Sequence, residues 1–359
     1  MKSRPLAAFL SCEGYHLSEA EKKLFATYNP AGVTLFARNI QDKNQLKKLT
    51  EEIKDAVNDD VLIAVDQEGG RVRRLKGAEY INYASQEQIG TLENKQAVRA
   101  AKLHAKLIST DLHNAGIAVN FAPVLDIEHK NTTKALDTRC FSDDVLKVAE
   151  LGQIMVETYI KSGIIPCIKH LPGHGLAEVD PHLGLPVINA DLNELMEEFY
   201  PFKQCAFAPL GMTAHIVLTA IDDTNPITLS AKGIKEIIRG EIGFEGFLIS
   251  DAIDMHALCG SVLDKASRAL QAGCDCVCYC FGQIDEMEEL CRNCPKLADN
   301  SMERLDKAKL ILHNEHRLTG LKDEIAYNRI AGKMTDYATE YDATEVLHNM
   351  KRKKQCLLG

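Results

Sequence analysis

The sequence predicts an α/β fold, a single-domain (β/α)8 barrel of the TIM type with a C-terminal helical extension. Short apolar runs rich in β-branched residues alternate with longer amphipathic stretches along most of the chain. Strict alternation of strand and helix implies parallel pairing, and eight such units fit a closed barrel better than an open sheet. No linker rich in Pro, Gly or Ser and no short repeat divides the 359 residues.

Eight runs of four to seven residues are predicted to be the barrel strands. In order they are Leu6–Cys12, Gly32–Phe36, Val61–Val65, Ala118–Phe121, Ile164–Ile168, Met212–Leu218, Phe247–Ser250 and Asp275–Tyr279. The predicted helices between them are Ser18–Thr27, Lys43–Val57, Gln96–Asn114, Val145–Lys161, Leu192–Phe207, Ala231–Ile242, Leu263–Ala272 and Gln283–Cys294. Ser18 and Glu21 have the spacing of a capping box, and Gly116, Gly163 and Gly273 each end a helix before the next strand.

The predicted barrel spans residues 1–300, and residues 301–359 form an extension that is expected to pack on it. This extension has helical patterns at Met302–His313 and Ala338–Lys351. It also holds the one basic cluster of the sequence, Lys351–Lys354, which is typical of a solvated chain end.

Charge and hydropathy exclude two classes of partner. The 42 Lys and Arg residues against 51 Asp and Glu give a net charge of −9, whereas phosphate backbones are bound by net or clustered positive charge. No run reaches the roughly 20 consecutive apolar residues that cross a bilayer. The first apolar run is interrupted by Glu13-Gly14 and has no small-residue cleavage site. We therefore expect a cytoplasmic monomer with no nucleic-acid and no membrane partner.

The twelve cysteines do not indicate a disulfide scaffold, which is expected mainly in small secreted domains. Four of them alternate along one apolar run: Cys274, Cys276, Cys278 and Cys280. Alternation predicts four thiols on one face of a strand, as small apolar side chains. A metal site that includes the nearby Cys291 and Cys294 is the alternative interpretation.

Catalytic groups of such barrels lie at the carboxyl ends of the strands and in the loops that follow. The third predicted strand is followed by a charged loop, Asp66–Arg74, in which Gly69-Gly70 lets the backbone approach a ligand. A salt-bridged turn is the alternative interpretation. Asp126 and the segment 137–141 follow the fourth strand.

The segment after the fifth predicted strand, Lys169–His182, is the richest in reactive groups. It holds three histidines, one lysine and two carboxylates in fourteen residues, a set that packing does not explain. Asp180 and His182 can meet in a tight turn through Pro181. A carboxylate beside an imidazole orients the ring and raises its pKa, which suits it to donate and accept protons.

Two further polar residues belong to predicted strands or adjoin them. His215 lies within the sixth predicted strand, and Asp251 comes directly after the apolar run Phe247–Ser250. A charged group at the mouth of a barrel must be paired or functional, and we expect Asp251 to be functional.

These residues form a series of motifs that resembles the family 3 glycoside hydrolases. The motifs are Asp-Gln-Glu-Gly-Gly-Arg-Val at 66–72, Asn-Phe-Ala-Pro-Val-Leu-Asp at 120–126, Lys-His-Leu-Pro-Gly-His-Gly at 169–175, Asp-Pro-His at 180–182 and Ser-Asp at 250–251. The sequence is most similar to the single-domain β-N-acetylglucosaminidases of bacterial peptidoglycan recycling. The likeness runs in order over about residues 5–285.

The resemblance implies two-step retaining hydrolysis of a non-reducing terminal β-linked GlcNAc, with no cofactor and no metal. The family's nucleophile falls on Asp251, and its acid/base histidine falls on His182, paired with Asp180. Its sugar-binding positions fall on Asp66, Arg74, Arg139, Lys169 and His170. The carboxylate can accept hydrogen bonds from hydroxyls, and the other four side chains can donate to hydroxyls or to the acetamido oxygen. The implied substrate is GlcNAc-anhydroMurNAc or its peptides.

Other functions stay open at this point. A histidine acid/base does not repel phosphate as a carboxylate would, so a phosphorylase is one alternative, and another family 3 β-glycosidase is a second. A metal-dependent barrel hydrolase could draw on His170, His174, His182, His215 and Asp251. Such barrels commonly place a His-X-His pair after the first strand, which this sequence lacks. A sugar-binding module on an inactive barrel would need a missing catalytic position, and none is missing.

Overall fold

The expected closed barrel is confirmed in a computed structural model, which describes residues 4–314, 319 and 321–331. Ten strands are present in these residues: β1 Leu6–Ser11, β2 Pro30–Leu35, β3 Leu62–Val65, β4 Val119–Asn120, β5 Ile165–Leu171, β6 Val187–Ile188, β7 Leu210–Thr213, β8 Val217–Leu218, β9 Phe247–Ala252 and β10 Cys276–Cys278. Eight of them close the barrel in the order β1-β2-β3-β4-β5-β7-β9-β10, and every neighbouring pair is parallel. All the barrel's carboxyl ends therefore meet at one face.

Helices surround the barrel. They are α1 Glu19–Tyr28, α2 Lys43–Ala56, α3 Gln86–Gly90, α4 Asn94–Asn114, α5 Val145–Lys161, α6 Leu192–Gln204, α7 Val262–Ala272, α8 Ile284–Asn293, α9 Asp299–Lys309 and α10 Leu321–Ala331, with a π-helical segment at Gly233–Glu241. The capping box at Ser18 and Glu21 is present as predicted, and Asp191 with Glu194 caps α6 in the same way. Such caps satisfy amide groups that the first helical turn leaves unpaired.

The apolar core has two layers, because successive residues of a strand face opposite sides. In β1, Ala7 and Phe9 point into the barrel, where they join the apolar cluster that also contains Phe121 and Ile249. The alternate residues of the strand, such as Leu10, pack between the strands and the helices. The filled lumen fixes the strands rigidly, so their carboxyl ends can hold side chains at defined distances.

One predicted strand is wrong in extent. The run Met212–Leu218 is not continuous: β7 ends at Thr213, and β8 leaves the barrel to pair with β6 in a separate two-stranded sheet. The amide of Val217 donates to the carbonyl of Pro186 at 2.9 Å, and that of Ile227 donates to the carbonyl of Ile216 at 2.8 Å. Apolar character persists through the bend because both halves are buried, so periodicity alone does not reveal the break.

The cysteine run is also corrected in one position. Cys276, Cys278 and Cys280 share one face as predicted, and that face is the barrel interior. Cys274 instead packs in the outer layer, because it precedes β10. Every cysteine within the described residues is a free thiol.

The C-terminal region begins with α9 and a 3-10 turn at Leu310–His313. Helix α10 then packs against α4 and buries Tyr327 completely. The predicted helix Ala338–Lys351 and the basic cluster lie outside the described residues. In the part of the chain that is described, no helix is long and apolar enough to cross a bilayer.

Candidate active site

A cavity opens at the carboxyl ends of the barrel strands. Seven of the eight residues singled out in the sequence line it: Asp66, Arg74, Arg139, Lys169, His170, His182 and Asp251. The eighth, Asp180, is hydrogen-bonded to His182. Residues from five segments of the sequence (66–74, 139, 169–170, 180–182 and 251) therefore converge on one site.

Asp251 lies near the end of β9 with its carboxylate at the cavity. One of its oxygens accepts the amide N–H of Ala252 at 2.7 Å. Burial alone would raise the pKa of Asp251, but the rings of His215 and His170 and the Ala252 amide bring it below its ordinary value. The carboxylate is therefore ionised at neutral pH, as a nucleophile requires.

His215 lies beneath this carboxylate and does not line the cavity. Its Nε2 is 3.0 Å from the carbonyl of Ala252, and its Nδ1 is 2.8 Å from the hydroxyl of Thr228. The Nε2–H therefore donates to the carbonyl. One ring nitrogen thus holds the backbone next to Asp251, and the other contacts the Thr228 side chain.

His182 and Asp180 form the pair that their spacing predicted. The Nδ1 of His182 donates to an Asp180 carboxylate oxygen at 2.8 Å, and the His182 amide donates to the same oxygen at 2.8 Å. Burial would raise the pKa of Asp180, but these two bonds from His182 lower it overall. With Nδ1 committed to the carboxylate, the second ring nitrogen is left to exchange protons.

The loop that carries this pair is attached on one side to the segment after β4. The Thr133 amide donates to the carbonyl of Ala177 at 2.7 Å, and the Thr132 hydroxyl donates to that of Gly175 at 2.7 Å. A Cβ at position 175 would lie 2.0 Å from the Ile127 carbonyl oxygen, so only glycine permits this approach.

On the other side, the same loop is attached to the segment after β9. The amide of Ala257 donates to the carbonyl of Pro181 at 3.0 Å, and Nδ1 of His256 donates to the carbonyl of His182 at 3.1 Å. The loop bearing His182 is thereby joined to the segment that follows Asp251.

Another part of the cavity lining is a network of buried ions. Nζ of Lys169 lies 2.7 Å from Asp66 and 2.6 Å from Glu68, and its side chain is only 2% exposed. Arg139 makes a bidentate pair with Glu68 at 2.8 and 2.9 Å. Arg74 lies 3.5 Å from Asp66. The carboxylates of the charged loop are salt-bridged, as the alternative interpretation expects, and they also line the cavity.

Glu68 is the residue that sequence reasoning missed. Burial would raise the pKa of Glu68, but Arg139 and Lys169 hold it far below its ordinary value. The signal was present as a second carboxylate in the Asp66–Arg74 loop, but its partners are distant in sequence. Gly69 lets this loop turn, because a Cβ there would lie 2.1 Å from the Ala84 carbonyl oxygen.

Asp126 is a second partner that received no role. It is fully buried, and its carboxylate accepts Nδ1–H of His170 at 2.6 Å and the amides of His170 and His174 at 3.2 and 2.8 Å. Burial would raise the pKa of Asp126, but His170 brings it below the ordinary value. In this tautomer Nε2 of His170 lies 3.4 Å from a guanidinium nitrogen of Arg139 and acts as an acceptor.

A third layer supports the ion network from the outside. Nε2 of His104 donates to the backbone carbonyl of Glu68 at 2.9 Å. The hydroxyl of Tyr327 then donates to His104 Nδ1 at 3.0 Å and accepts the Ala84 amide at 2.8 Å. Helix α10 is thus connected to the wall of the cavity through buried hydrogen bonds.

The arrangement combines an ionised carboxylate, an oriented imidazole and a set of charged groups that can bind hydroxyl and amide functions. These groups are suited to covalent catalysis with acid/base assistance on a polar, uncharged substrate. Within the described residues, no three His, Cys, Asp or Glu side chains converge as a metal ion would require.

Comparison with known proteins yields one family. A model described as the glycosyl hydrolase family 3 N terminal domain matches residues 6–311. Curated β-hexosaminidases of Bordetella avium and Neisseria meningitidis serogroup C are 32% and 35% identical; the alignments cover 84% and 77% of this chain and 84% and 78% of those proteins.

Solved structures agree. NagZ from Neisseria gonorrhoeae, in complex with N-trifluoroacetyl-D-glucosamine, superposes with a TM-score of 0.83 at 30% identity, over 92% of this chain and 98% of that one. A family 3 β-N-acetylglucosaminidase from Paenibacillus superposes with a TM-score of 0.81 at 25% identity, over 91% of this chain and 67% of that one. The family match and these identities confirm the resemblance read from the motifs, and the chain belongs to glycosyl hydrolase family 3.

Proposed function

We propose that this glycoside hydrolase is a retaining exo-β-N-acetylglucosaminidase that removes a non-reducing terminal β-linked GlcNAc. The observation that carries the proposal is that Asp251 and the Asp180-oriented imidazole of His182 face one cavity. β-N-Acetylhexosaminidase activity accords with the names of the relatives. No metal or cofactor takes part in the proposed reaction.

In the first step, the Asp251 carboxylate attacks the anomeric carbon while His182 donates its proton to the leaving oxygen. The transition state has oxocarbenium character, and a covalent glycosyl-enzyme results. In the second step, His182 takes a proton from water, which displaces the carboxylate, and the β configuration is retained. Asp180 stabilises the imidazolium and holds its Nδ1–H.

The buried ion network that lines the cavity binds the sugar in this proposal. Asp66 accepts from hydroxyls, and Arg74, Arg139 and Lys169 donate to hydroxyls or to the acetamido oxygen. His170 offers Nε2 beside Arg139. Because the ions already neutralise one another, the wall presents hydrogen-bonding atoms without a large excess of charge.

The natural substrate proposed is GlcNAc linked to an anhydro-muramyl residue or its peptides, degraded in the cytoplasm during cell-wall recycling. The proposed organisation is a monomer whose catalytic barrel spans residues 1–300, with residues 301–359 packed on it. The helices α9 and α10 support the second part of this proposal, since both lie against the barrel or its helices.

Chromogenic substrates test the specificity. A β-N-acetylglucosaminide should be turned over much faster than the matching β-glucoside, and NMR should show the β-anomer as first product. Preference for the glucoside would contradict the assignment. Addition of phosphate should not produce a sugar 1-phosphate; its appearance would make the enzyme a phosphorylase. Asp251→Ala should abolish turnover without loss of fold, and near-native activity would refute the nucleophile.

The acid/base role has its own test, with the exposed His16→Ala as matched control. A dinitrophenyl glycoside has a good leaving group and needs little protonation. His182→Ala should therefore keep much of its first-step rate on this substrate, show a burst and recover turnover with azide. On a natural disaccharide it should lose far more. An equal loss on both substrates without azide rescue would move the role to Glu178, an exposed carboxylate of the same loop.

A further inference from the structure

Two thiols line the sugar cavity and take no part in the proposed chemistry. Cys278 and Cys280 lie at and just beyond the end of β10, and their Sγ atoms are 3.5 Å apart. Both line the same cavity as Asp251 and His182. The hydroxyl of Thr34 lies 3.6 Å from Cys278 Sγ.

The backbone holds the two thiols in this arrangement. The amide of Cys278 donates to the Ser250 hydroxyl at 3.0 Å, and that of Cys280 donates to an Asp254 carboxylate oxygen at 3.2 Å. The carbonyl of Cys280 accepts from Arg38 at 2.6 Å. A ligand that bridges the two sulfurs therefore meets a preformed pair, which reduces the entropy cost of binding both.

The surroundings decide which ligand suits this pair. Structural metal ions such as zinc take four ligands, and the described residues offer no third His, Cys, Asp or Glu that converges with these two. The hydrogen bond with Cys278 and burial both raise the pKa of Cys280, so the Cys280 thiol is a poor free nucleophile toward a single electrophile. A thiophilic centre that is satisfied by two sulfurs fits best.

We propose that Cys278 and Cys280 form a dithiol site for monosubstituted trivalent arsenicals and that the bound ligand occludes the sugar cavity. The chemistry is a condensation, R–As(OH)2 + 2 R′–SH → R–As(SR′)2 + 2 H2O. Two As–O bonds break, two As–S bonds form, and each thiol proton leaves with a hydroxide as water. Arsenic stays trivalent and the sulfurs stay at the thiol oxidation level, so no oxidant is needed.

The occlusion part rests on the proposed function, whereas the binding part does not. Wild-type enzyme is treated with one equivalent of phenylarsine oxide, and intact mass and peptide mapping locate the adduct. We expect one arsenical bridging residues 278 and 280, loss of at least nine-tenths of the activity, and recovery with 2,3-dimercaptopropanol but not with a monothiol. Free N-acetylglucosamine should slow adduct formation at least tenfold.

The variants Cys278→Ser and Cys280→Ser should each lose the bridged adduct and need at least tenfold more reagent for half-inhibition, relative to their own untreated activity. Cys259→Ser, which removes an exposed single thiol, should behave as wild type toward the reagent. If a serine variant does not fold, peptide mapping of the adduct and its protection by N-acetylglucosamine in the wild type still test the site. An adduct elsewhere would overturn the site, and a bridged adduct with full turnover would overturn the occlusion. If the enzyme proves to hydrolyse no β-N-acetylglucosaminide, the mass readout still tests the dithiol.

Discussion

Replacing Glu68 by Gln tests whether the buried ion network holds the active-site wall together. The change keeps the shape of the side chain but removes the charge that Arg139 and Lys169 both face at 2.6–2.9 Å. Their side chains are 14% and 2% exposed, so water cannot replace the lost carboxylate. Breaking a buried ion pair from one side costs about 3–5 kcal/mol, and that is the expected loss in free energy of unfolding.

Urea unfolding at neutral pH measures this loss, with Glu157→Gln as the control. Glu157 pairs with Lys161 at 2.7 Å on the surface of α5, where the side chains are 54% and 73% exposed, and removal of such a pair costs less than about 1 kcal/mol. Equal midpoint shifts for the two variants would refute the reasoning. kcat/KM should also fall for Glu68→Gln, because Arg139 and Lys169 lose the partner that positions them.

The pH dependence of the same difference has a fixed sign. Since its pKa is lower in the folded protein, Glu68 contributes its full stabilisation above its ordinary pKa and loses it as the pH falls toward the folded value. The difference in free energy of unfolding between wild type and Glu68→Gln should be constant from about pH 6 to 8 and shrink below about pH 4. A gap that grows on acidification would contradict an ionised Glu68.

Three further outcomes are expected. Burial lowers the pKa of His174 to about 4, so between about pH 6.5 and 4 only the unfolded state binds a proton at this residue. The free energy of unfolding should therefore drop by about 3 kcal/mol over that range. In His174→Gln, urea titrations should show a smaller drop over the same range. Tyr327→Phe leaves buried groups of His104 and Ala84 unpaired and should cost about 1–3 kcal/mol by thermal unfolding. Asp126→Asn removes the acceptor that orients His170 and should lower kcat/KM about 100-fold in initial-rate assays.

Much of the fold was predictable because it depends on local signals. The barrel strands are short apolar runs separated by capped helices, and each such run is buried where it lies. The sixth strand shows where that logic ends. The run Met212–Leu218 is largely apolar and resembles one strand. Its departure from the barrel depends on hydrogen bonds between Val217 and Pro186 and between Ile227 and Ile216, which no local pattern encodes.

The candidate site divides in the same way. Asp251 and the pair Asp180–His182 were predictable from a strand end and from an i, i+2 spacing. Glu68 and Asp126 were not assigned roles, because their partners Arg139 and His170 lie far away in the sequence. From the sequence alone, a carboxylate that is paired with buried cations cannot be distinguished from an ordinary charged loop residue.

The contact between the loop of His182 and the segment after β9 limits how related enzymes can be recombined. His182 and His256 are 74 residues apart, yet with Pro181 and Ala257 they form one interlocked rim. A chimera with a single crossover between these positions would take Pro181 and His182 from one parent and His256 and Ala257 from the other. Crossovers before residue 180 or after residue 258 inherit both halves together, so the rim is exchanged between parents as a unit of two segments.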